Sequence, residues 1–382
     1  LKILQVAPCY VDFNRTGGGV ANIVAEIASG CSDKGHRVEL ICGNREVGRK
    51  KSDAGIVFQG RVKVNVLAQR SHPFLGPTKE LANLLGSVDA PDIAHVHTCF
   101  SAFTEKTMKV LLRRNIPYIF TPHGKLSEAA LSVHPWAKSI WWRLLAKRRI
   151  RKAARIAVSA EGETRLFRML GLSDEYSVVP NGFHLPSEAD QPVKPAPVFY
   201  EPFVLYFGSI SRRKQPELLV RAFAECRARE THRLIIVGPD RDNHSASLRR
   251  EIAKSSVRDR IIVKDAVYGP EKYEILKRAD ILCLPSKAEG FPLALVEALG
   301  CGVPIVISSS CNFSCAVNQG AGLELTDFRA GNWSAAIDDI CLHPEKREQM
   351  SGDAVKAASG FRWESIVGQW IDLYEEALQL EK

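Results

Sequence analysis

The chain has 382 residues, 45% of them hydrophobic and 25% charged, with a net charge of +9. That length exceeds one ordinary core and predicts two domains, and no apolar run approaches the ~20 residues needed to span a bilayer. The charge suits anionic lipid or phosphorylated ligands, but no recognisable module supports a nucleic-acid partner, and none is expected.

Strands and helices alternate from the first residue. LKILQVAP reads as a strand, not as the basic, apolar and small-residue sequence of a signal peptide. GGGVANIVAEIASGCSDKG has apolar residues at helical spacing, with Gly35 near its end. HRVELICG, KVNVLAQ, DIAHVHT, PYIFTPHG, RIAVSA and YSVVPNG are short β-branched runs bounded by Pro, Gly or polar residues. Such alternation predicts a parallel sheet covered on both faces.

A proline-rich stretch without periodicity, HLPSEADQPVKPAPVFYEP, reads as a linker. The alternation then restarts with FVLYFGSI, PELLVRAFAECRA, RLIIVGP, RIIVKDAV, EKYEILKRA, DILCLPS, LALVEALG, VPIVISS and NWSAAIDDICL. The tail FRWESIVGQWIDLYEEALQLEK is an amphipathic helix with no strand after it, and it must bury its apolar stripe on another element.

The ten cysteines include no C-x-x-C pair and lie mostly in apolar segments, which predicts reduced, buried thiols and a cytoplasmic protein. No zinc set is formed. The run KSIWWRLLAKRRIRKAAR interleaves tryptophan with many cations. Residues 136–155 therefore suit either a peripheral contact with the inner membrane face or a solvated helix with its tryptophans packed inward.

One segment concentrates the chemistry. In KAEGFPLALVEALG, Glu289 precedes a helix start and Glu297 lies about two turns further on. Pro292 is placed to open the helix, because its missing N–H costs nothing there. Gly290 lets backbone approach a ligand, and free N–H groups at the helix end attract phosphate or hydroxyl oxygen. Two carboxylates at that separation can hold two polyol parts of one extended ligand. A Gly-rich loop, Gly17, Gly18 and Gly19, lies between the first strand and helix, where amides can cradle an anion. A dinucleotide fingerprint is not formed there, since Asn22 stands where its last glycine would be.

E-G-F-P-L-x-x-x-E after a strand resembles the signature of family-4 retaining glycosyltransferases of the GT-B fold. These are α/β proteins with two Rossmann-like domains whose parallel sheets face a central cleft. GGG, DIAHVHT, TPHG, SVVPNG, VGP, ADILCLPS and FRWESI extend the resemblance along nearly the whole chain. It implies an N-terminal acceptor domain over 1–183, a linker over 184–200 and a donor domain over 201–362. A last helix over 363–382 would return to the first domain.

The implied activity is transfer of a sugar from a nucleotide-diphosphate sugar to a carbohydrate or lipid-linked acceptor, with no cofactor and no metal. By the same resemblance, Glu289 binds hydroxyls of the donor sugar and Glu297 the ribose, and the amides of Gly290, Phe291 and Leu293 face sugar and phosphate. The backbone around Val267 reads the base. In FGSISRRKQPELL, Lys214 matches the family's lysine, while Ser209 stands where its arginine is expected. Arg212 or Arg213 is left to supply the guanidinium for the diphosphate.

Gly18 and Gly19 are assigned to the donor phosphate and Gly17 to the acceptor. His123 of TPHG matches the family's cleft histidine and is assigned to the donor sugar's outer hydroxyl. His95 and His97 are read as facing opposite sides of their strand, with His97 toward the acceptor. Asp240 and Asp242 form a D-x-D, but at a position where the resemblance implies a variable loop rather than a metal. A nucleotide-sugar epimerase on the same scaffold, or a binding-only protein, are the rival readings.

Overall fold

The structure is a computed structural model and describes residues 1–11, 19–43, 55–68, 78–132, 134–173, 175–184, 201–240 and 243–380. Two compact units are present: residues 1–181 with 363–382, and residues 182–362.

The first unit contains an eight-stranded sheet in the order β3-β4-β2-β1-β5-β6-β7-β8. Its strands are β1 (Lys2–Ala7), β2 (Arg37–Gly43), β3 (Gly55–Gln59), β4 (Val62–Leu67), β5 (Ile93–His97), β6 (Tyr118–Thr121), β7 (Arg155–Val158) and β8 (Tyr176–Val178). Every pairing is parallel except that of β3 with β4, a hairpin turned at Gly60 with φ of 58°. The helices are α1 (Gly19–Asp33), α2 (Thr78–Ser87), α3 (Ala102–Arg113), α4 (Glu128–Leu131), α5 (Pro135–Trp141), α6 (Lys147–Ile150) and α7 (Phe167–Leu170). The inner strands are apolar runs covered on both faces, as a wound parallel sheet requires. Polar exceptions include Gln5, His95 and His97, which are fully buried in β1 and β5, and Asn65 and Thr121 in β4 and β6.

The second unit is a six-stranded parallel sheet ordered β11-β10-β9-β12-β13-β14. Its strands are β9 (Phe203–Phe207), β10 (Arg233–Val237), β11 (Ile261–Lys264), β12 (Ile281–Leu284), β13 (Ile305–Ser308) and β14 (Gly322–Leu325). Its helices are α8 (Pro216–Glu225), α9 (Ser245–Lys254), α10 (Gly269–Arg278), α11 (Leu293–Gly300), α12 (Ser314–Val317), α13 (Ala330–Cys341) and α14 (Pro344–Ser359). The chain winds outward from β9 through β10 to β11, then returns to the other side of β9 as β12. That reversal leaves the loops after β9 and β12 at adjacent strand ends, where wound sheets bind ligands.

Gly182 and Phe183 fall with the second unit: the Phe183 N–H donates to the Phe361 carbonyl at 2.9 Å. The last helix, α15 (Trp363–Leu380), falls with the first and packs on α1. Its buried residues Trp363, Ile366, Val367, Trp370, Leu373, Tyr374 and Ala377 follow helical spacing. Each large side chain hidden this way contributes ~1.5–3 kcal/mol. The approach is close because α1 offers Gly30, where a Cβ would lie 2.4 Å from Val367.

Candidate functional site

The loops after β9 and β12 meet in the second unit. Ser286 Oγ donates to Glu289 Oε1 at 2.6 Å, and the Lys214 ammonium stands 3.1 Å from the same oxygen. Arg213 reaches Oε2 at 3.3 Å and also donates to the Ala288 carbonyl. The loops are joined through backbone as well, since the Lys287 N–H donates to the Arg213 carbonyl at 2.8 Å. Asn312 Nδ2 donates to the Glu289 carbonyl at 3.0 Å. Glu289 is thus held from four directions, its carboxylate nearly buried while Arg213 remains largely exposed. Arg212 is exposed and joins no ion pair among the described residues, whereas Arg213 is the guanidinium beside Glu289.

Glycines shape the floor. A Cβ at Gly208 would lie 3.2 Å from the Lys214 Nζ, so glycine lets the lysine fold back over the end of β9. A Cβ at Gly238, where φ is 155°, would sit 1.9 Å from the Gly208 carbonyl oxygen. Only glycine permits that close crossing of the two loops. Ser209 offers its carbonyl to the Tyr206 hydroxyl at 2.8 Å. Burial, reinforced by the Glu289 and Glu217 charges, pushes the Tyr206 phenol well above its ordinary pKa and keeps it neutral.

Pro292 caps α11 with φ −84° and ψ 86°, and the Leu293 N–H closes a tight turn onto the Phe291 carbonyl at 3.1 Å. The expectation that the Leu293 amide faces a ligand is therefore corrected: that amide is spent inside the turn. The N–H groups of Gly290, Phe291 and Ala294 find no backbone acceptor among the described residues. The Phe291 ring packs edge-on against Phe313, 5.7 Å between centroids, and anchors the loop. A Cβ at Gly290 would meet no protein atom within 4 Å, so nothing inside the protein demands glycine there. One carboxylate, two cations and unpaired amides at a helix N-terminus give a net positive, anion-receptive cluster with a fixed hydroxyl acceptor.

Glu297 lies on α11 and pairs with Lys272 on α10 at 2.7 Å. Lys272 in turn lies 4.5 Å over the Tyr273 ring. Val267 precedes α10 and packs partly buried against the core. Neither Lys272 nor Ser286 is singled out by the sequence, because nothing local marks a lysine in a polar helix or a serine at a strand end. Asp240 Oδ1 accepts from the Ser245 N–H at 3.1 Å, while Asp242 lies outside the described residues.

In the first unit, His97 ends β5 and His123 follows β6. His97 Nδ1 meets His123 Nε2 at 2.9 Å, with the rings stacked 5.2 Å apart. The expectation that His95 and His97 face opposite sides is corrected: their rings share one face, 3.9 Å apart, as residues two apart on a strand must. His97 is fully buried with both ring nitrogens engaged, so it stands behind His123 and offers no surface to an acceptor.

The backbone here is strained. Thr98, Phe100 and His123 have φ of 62°, 57° and 50°, a region costly for residues with a Cβ and typical of functional loops. Buried Glu163 holds the turn by accepting from the Gly124 N–H at 2.6 Å and the Ser159 N–H at 3.0 Å. Gly19 begins α1, whereas Gly17 and Gly18 lie outside the described residues.

Burial pushes His95 and His97 well below the ordinary imidazole pKa, and pushes His123, with help from Lys125, down to about 4. Between the unfolded value of 6.5 and these folded values the unfolded chain binds more protons, so stability rises with pH. The stabilisation is complete above 6.5 and is lost as pH falls toward about 4. Three such groups set a limiting slope of ~4 kcal/mol per pH unit. The denaturant midpoint should fall steeply from pH 7 to 5, and a flat profile over that range contradicts the buried neutral cluster.

The basic run forms α5, a π-helical turn over Trp142–Ala146, and α6. Trp142 and Ile150 are buried, and Trp142 Nε1 donates to the Leu170 carbonyl at 3.1 Å. Trp141 Nε1 donates to Glu105 at 3.3 Å. Trp136, Ile140 and Leu144, spaced by four, are 71%, 52% and 74% exposed. Two tryptophans point inward, as the packed-helix alternative expects, and Trp136 heads an outer apolar stripe. No described helix is long and apolar enough to cross a membrane.

Residues 17–185 match the model of Glycosyltransferase Family 4, and residues 190–356 match that of Glycosyl transferases group 1. A D-inositol 3-phosphate glycosyltransferase of Kineococcus radiotolerans is 25% identical over 99% of this chain and 95% of its own. A GDP-mannose:cellobiosyl-diphosphopolyprenol alpha-mannosyltransferase of Xanthomonas campestris is 24% identical over 78% of this chain and 77% of its own. Among solved structures, Anabaena HepE in complex with UDP superposes with a TM-score of 0.75 at 18% identity, covering 98% of this chain and all of that one. Sucrose-phosphate synthase from Thermosynechococcus elongatus gives 0.72 at 18%, covering 98% and 99%. At these identities the structural likeness fixes the fold, the family models fix the kind of enzyme, and the chain belongs to the family-4 glycosyltransferases of the GT-B fold.

Proposed function

We propose that the chain transfers a sugar, with retention of anomeric configuration, from a nucleotide-diphosphate sugar to an acceptor hydroxyl. The observation that carries this reading is Glu289 fixed beside Lys214 and Arg213 at the sheet's reversal point, next to unpaired amides of the α11 N-terminus. Lys214 and Arg213 take the diphosphate, and the N–H groups of Gly290, Phe291 and Ala294 take phosphate or sugar oxygens. Glu289 accepts hydroxyls of the donor sugar, Glu297 accepts those of the ribose, and the backbone at Val267 reads the base. Gly18 and Gly19 serve the phosphate and Gly17 the acceptor. His123 serves the sugar's outer hydroxyl, and no metal or cofactor takes part.

In the transfer, the bond from the anomeric carbon to phosphate breaks while the acceptor oxygen bonds on the same face. The acceptor proton passes to the departing phosphate oxygen. Charge growing on the diphosphate is met by groups already in place, which is the largest catalytic contribution of such a site. No covalent nucleophile is assigned.

The product class is a cell-surface polysaccharide, glycolipid or glycoside made on the cytoplasmic side. A lipid-linked acceptor fits the exposed Trp136, Ile140 and Leu144 stripe, which is bordered by the basic cluster of Arg143, Lys147, Arg148, Arg151 and Lys152. Nothing in the reported relatives favours the epimerase reading. A panel of uridine, guanosine and adenosine diphosphate sugars, with soluble acceptors or acceptors in anionic vesicles, tests the proposal. Nucleoside diphosphate should appear only with acceptor, the product should keep the donor's anomeric configuration, and the protein should sediment with the vesicles. Altered sugar without release, or an inverted product, overturns retaining transfer; failure to sediment removes the membrane contact.

A further inference from the structure

Six side chains of the first unit form a continuous polar chain that the proposed transfer leaves unused apart from its last member. Thr121 Oγ1 meets His95 Nε2 at 2.8 Å, and His95 Nδ1 meets the Tyr374 hydroxyl at 2.9 Å. Gln5 Nε2 donates to that hydroxyl at 2.9 Å, and Gln5 Oε1 meets His97 Nε2 at 2.8 Å. His97 Nδ1 then meets His123 Nε2 at 2.9 Å. Five are buried and His123 is largely covered, and Tyr374 arrives from α15, 369 positions along the chain from Gln5.

The proton positions in such a chain are linked. A neutral imidazole has one N–H and one lone pair, and an amide oxygen can only accept. Gln5 Oε1 therefore requires the proton of His97 on Nε2, which leaves His97 Nδ1 bare. A bare Nδ1 requires an N–H from His123 Nε2. His123 Nδ1 is then the remaining lone pair, and it has no hydrogen-bond partner among the described residues. Burial keeps the three rings neutral, so one proton per ring is the right count. The Gln5 amide sets the sense of the chain: its Nε2 donates to the Tyr374 hydroxyl, which leaves Oε1 for His97, and exchanging the amide's nitrogen and oxygen would reverse every link and place the proton on His123 Nδ1.

We infer that Gln5 and Tyr374 are positioning residues that hold the His123 proton on Nε2 and present Nδ1 as a hydrogen-bond acceptor for a sugar hydroxyl. The identity of that hydroxyl rests on the proposed transfer; the placement of the proton does not.

The test uses the full chain labelled with ¹⁵N-histidine, observed without substrate at pH 7.5 through two-bond proton–nitrogen couplings, with His123→Gln assigning the ring. Wild type should show His123 as the Nε2–H form alone. Tyr374→Phe should populate both forms and lower kcat/KM about tenfold, the factor expected for one misplaced hydrogen bond. Nucleoside diphosphate affinity should stay at the wild-type value. A wild-type His123 carrying its proton on Nδ1, or on both nitrogens, overturns the inference without recourse to any variant. So does a folded Tyr374→Phe protein whose His123 spectrum is unchanged. Wild type that turns over no donor would instead count against the transfer reading and would leave the proton placement standing.

Discussion

Glu289→Ala should lower turnover at least ~100-fold while leaving the protein folded. The magnitude follows from the hydrogen bonds at stake, because contacts to a charged acceptor contribute ~1.5–3 kcal/mol each. The same carboxylate orders both cations: it lies 3.1 Å from Lys214 and 3.3 Å from Arg213. Its removal frees two like charges to separate, and neither then points reliably at a diphosphate. The fold should tolerate the loss, since Arg213 is largely exposed and can return to water. Glu289→Gln keeps the shape and the Ser286 contact yet cannot balance the cations, so its turnover should stay near that of the alanine variant. Stopped-flow or endpoint release of nucleoside diphosphate, with circular dichroism as the fold control, reads both effects. Undiminished turnover in Glu289→Ala would remove the site assignment.

Much of this site is legible in the sequence because its parts are local. E-G-F-P-L places a carboxylate, a turn and a helix start within a few residues, and the structure puts α11 at Leu293 immediately after Pro292. Lys214 follows a strand end by a fixed short loop. The choice between Arg212 and Arg213 is not legible, because neighbouring residues in a turn point in different directions and only the fold shows which one meets Glu289. The spent amide of Leu293 is equally hidden, since it depends on the dihedral angles of Pro292.

Long-range partners are the other gap. Gln5 and Tyr374 look like an ordinary strand residue and an ordinary amphipathic-helix residue, and nothing near either one announces a hydrogen bond across 369 positions. Glu163, which braces the Gly124 turn, sits in an unremarked SAEGE segment. Among whole elements, the sequence reading passes over β3, an exposed edge strand with no buried alternation to mark it. It also passes over β14, four residues containing a glycine and a glutamate. Helix α14 escapes because its buried face is mostly alanine, which carries little periodic contrast.

Lys214→Ala should cut both affinity for the donor and turnover, because it removes the least solvent-accessible cation of the site. Its side chain is 13% exposed, against 42% for Arg213, so its interaction with a phosphate is less screened by water. A loss of ~10–100-fold in nucleoside diphosphate affinity corresponds to ~1.4–2.8 kcal/mol, the range of a charge-assisted contact. Turnover should fall further, by ~1000-fold, since charge on the diphosphate grows as the sugar leaves. Lys214→Arg should not restore it fully: the ammonium lies close over Gly208 and beside Glu289, and a planar guanidinium presents its donors in a different geometry.

The most direct measurement is calorimetric titration of uridine, guanosine and adenosine diphosphates into wild type and Lys214→Ala. At least one nucleotide should bind wild type in the micromolar range, and that nucleotide should bind the variant at least ~10-fold more weakly. Equal binding of every nucleotide to both proteins would show that the β9 and β12 loops do not hold the diphosphate.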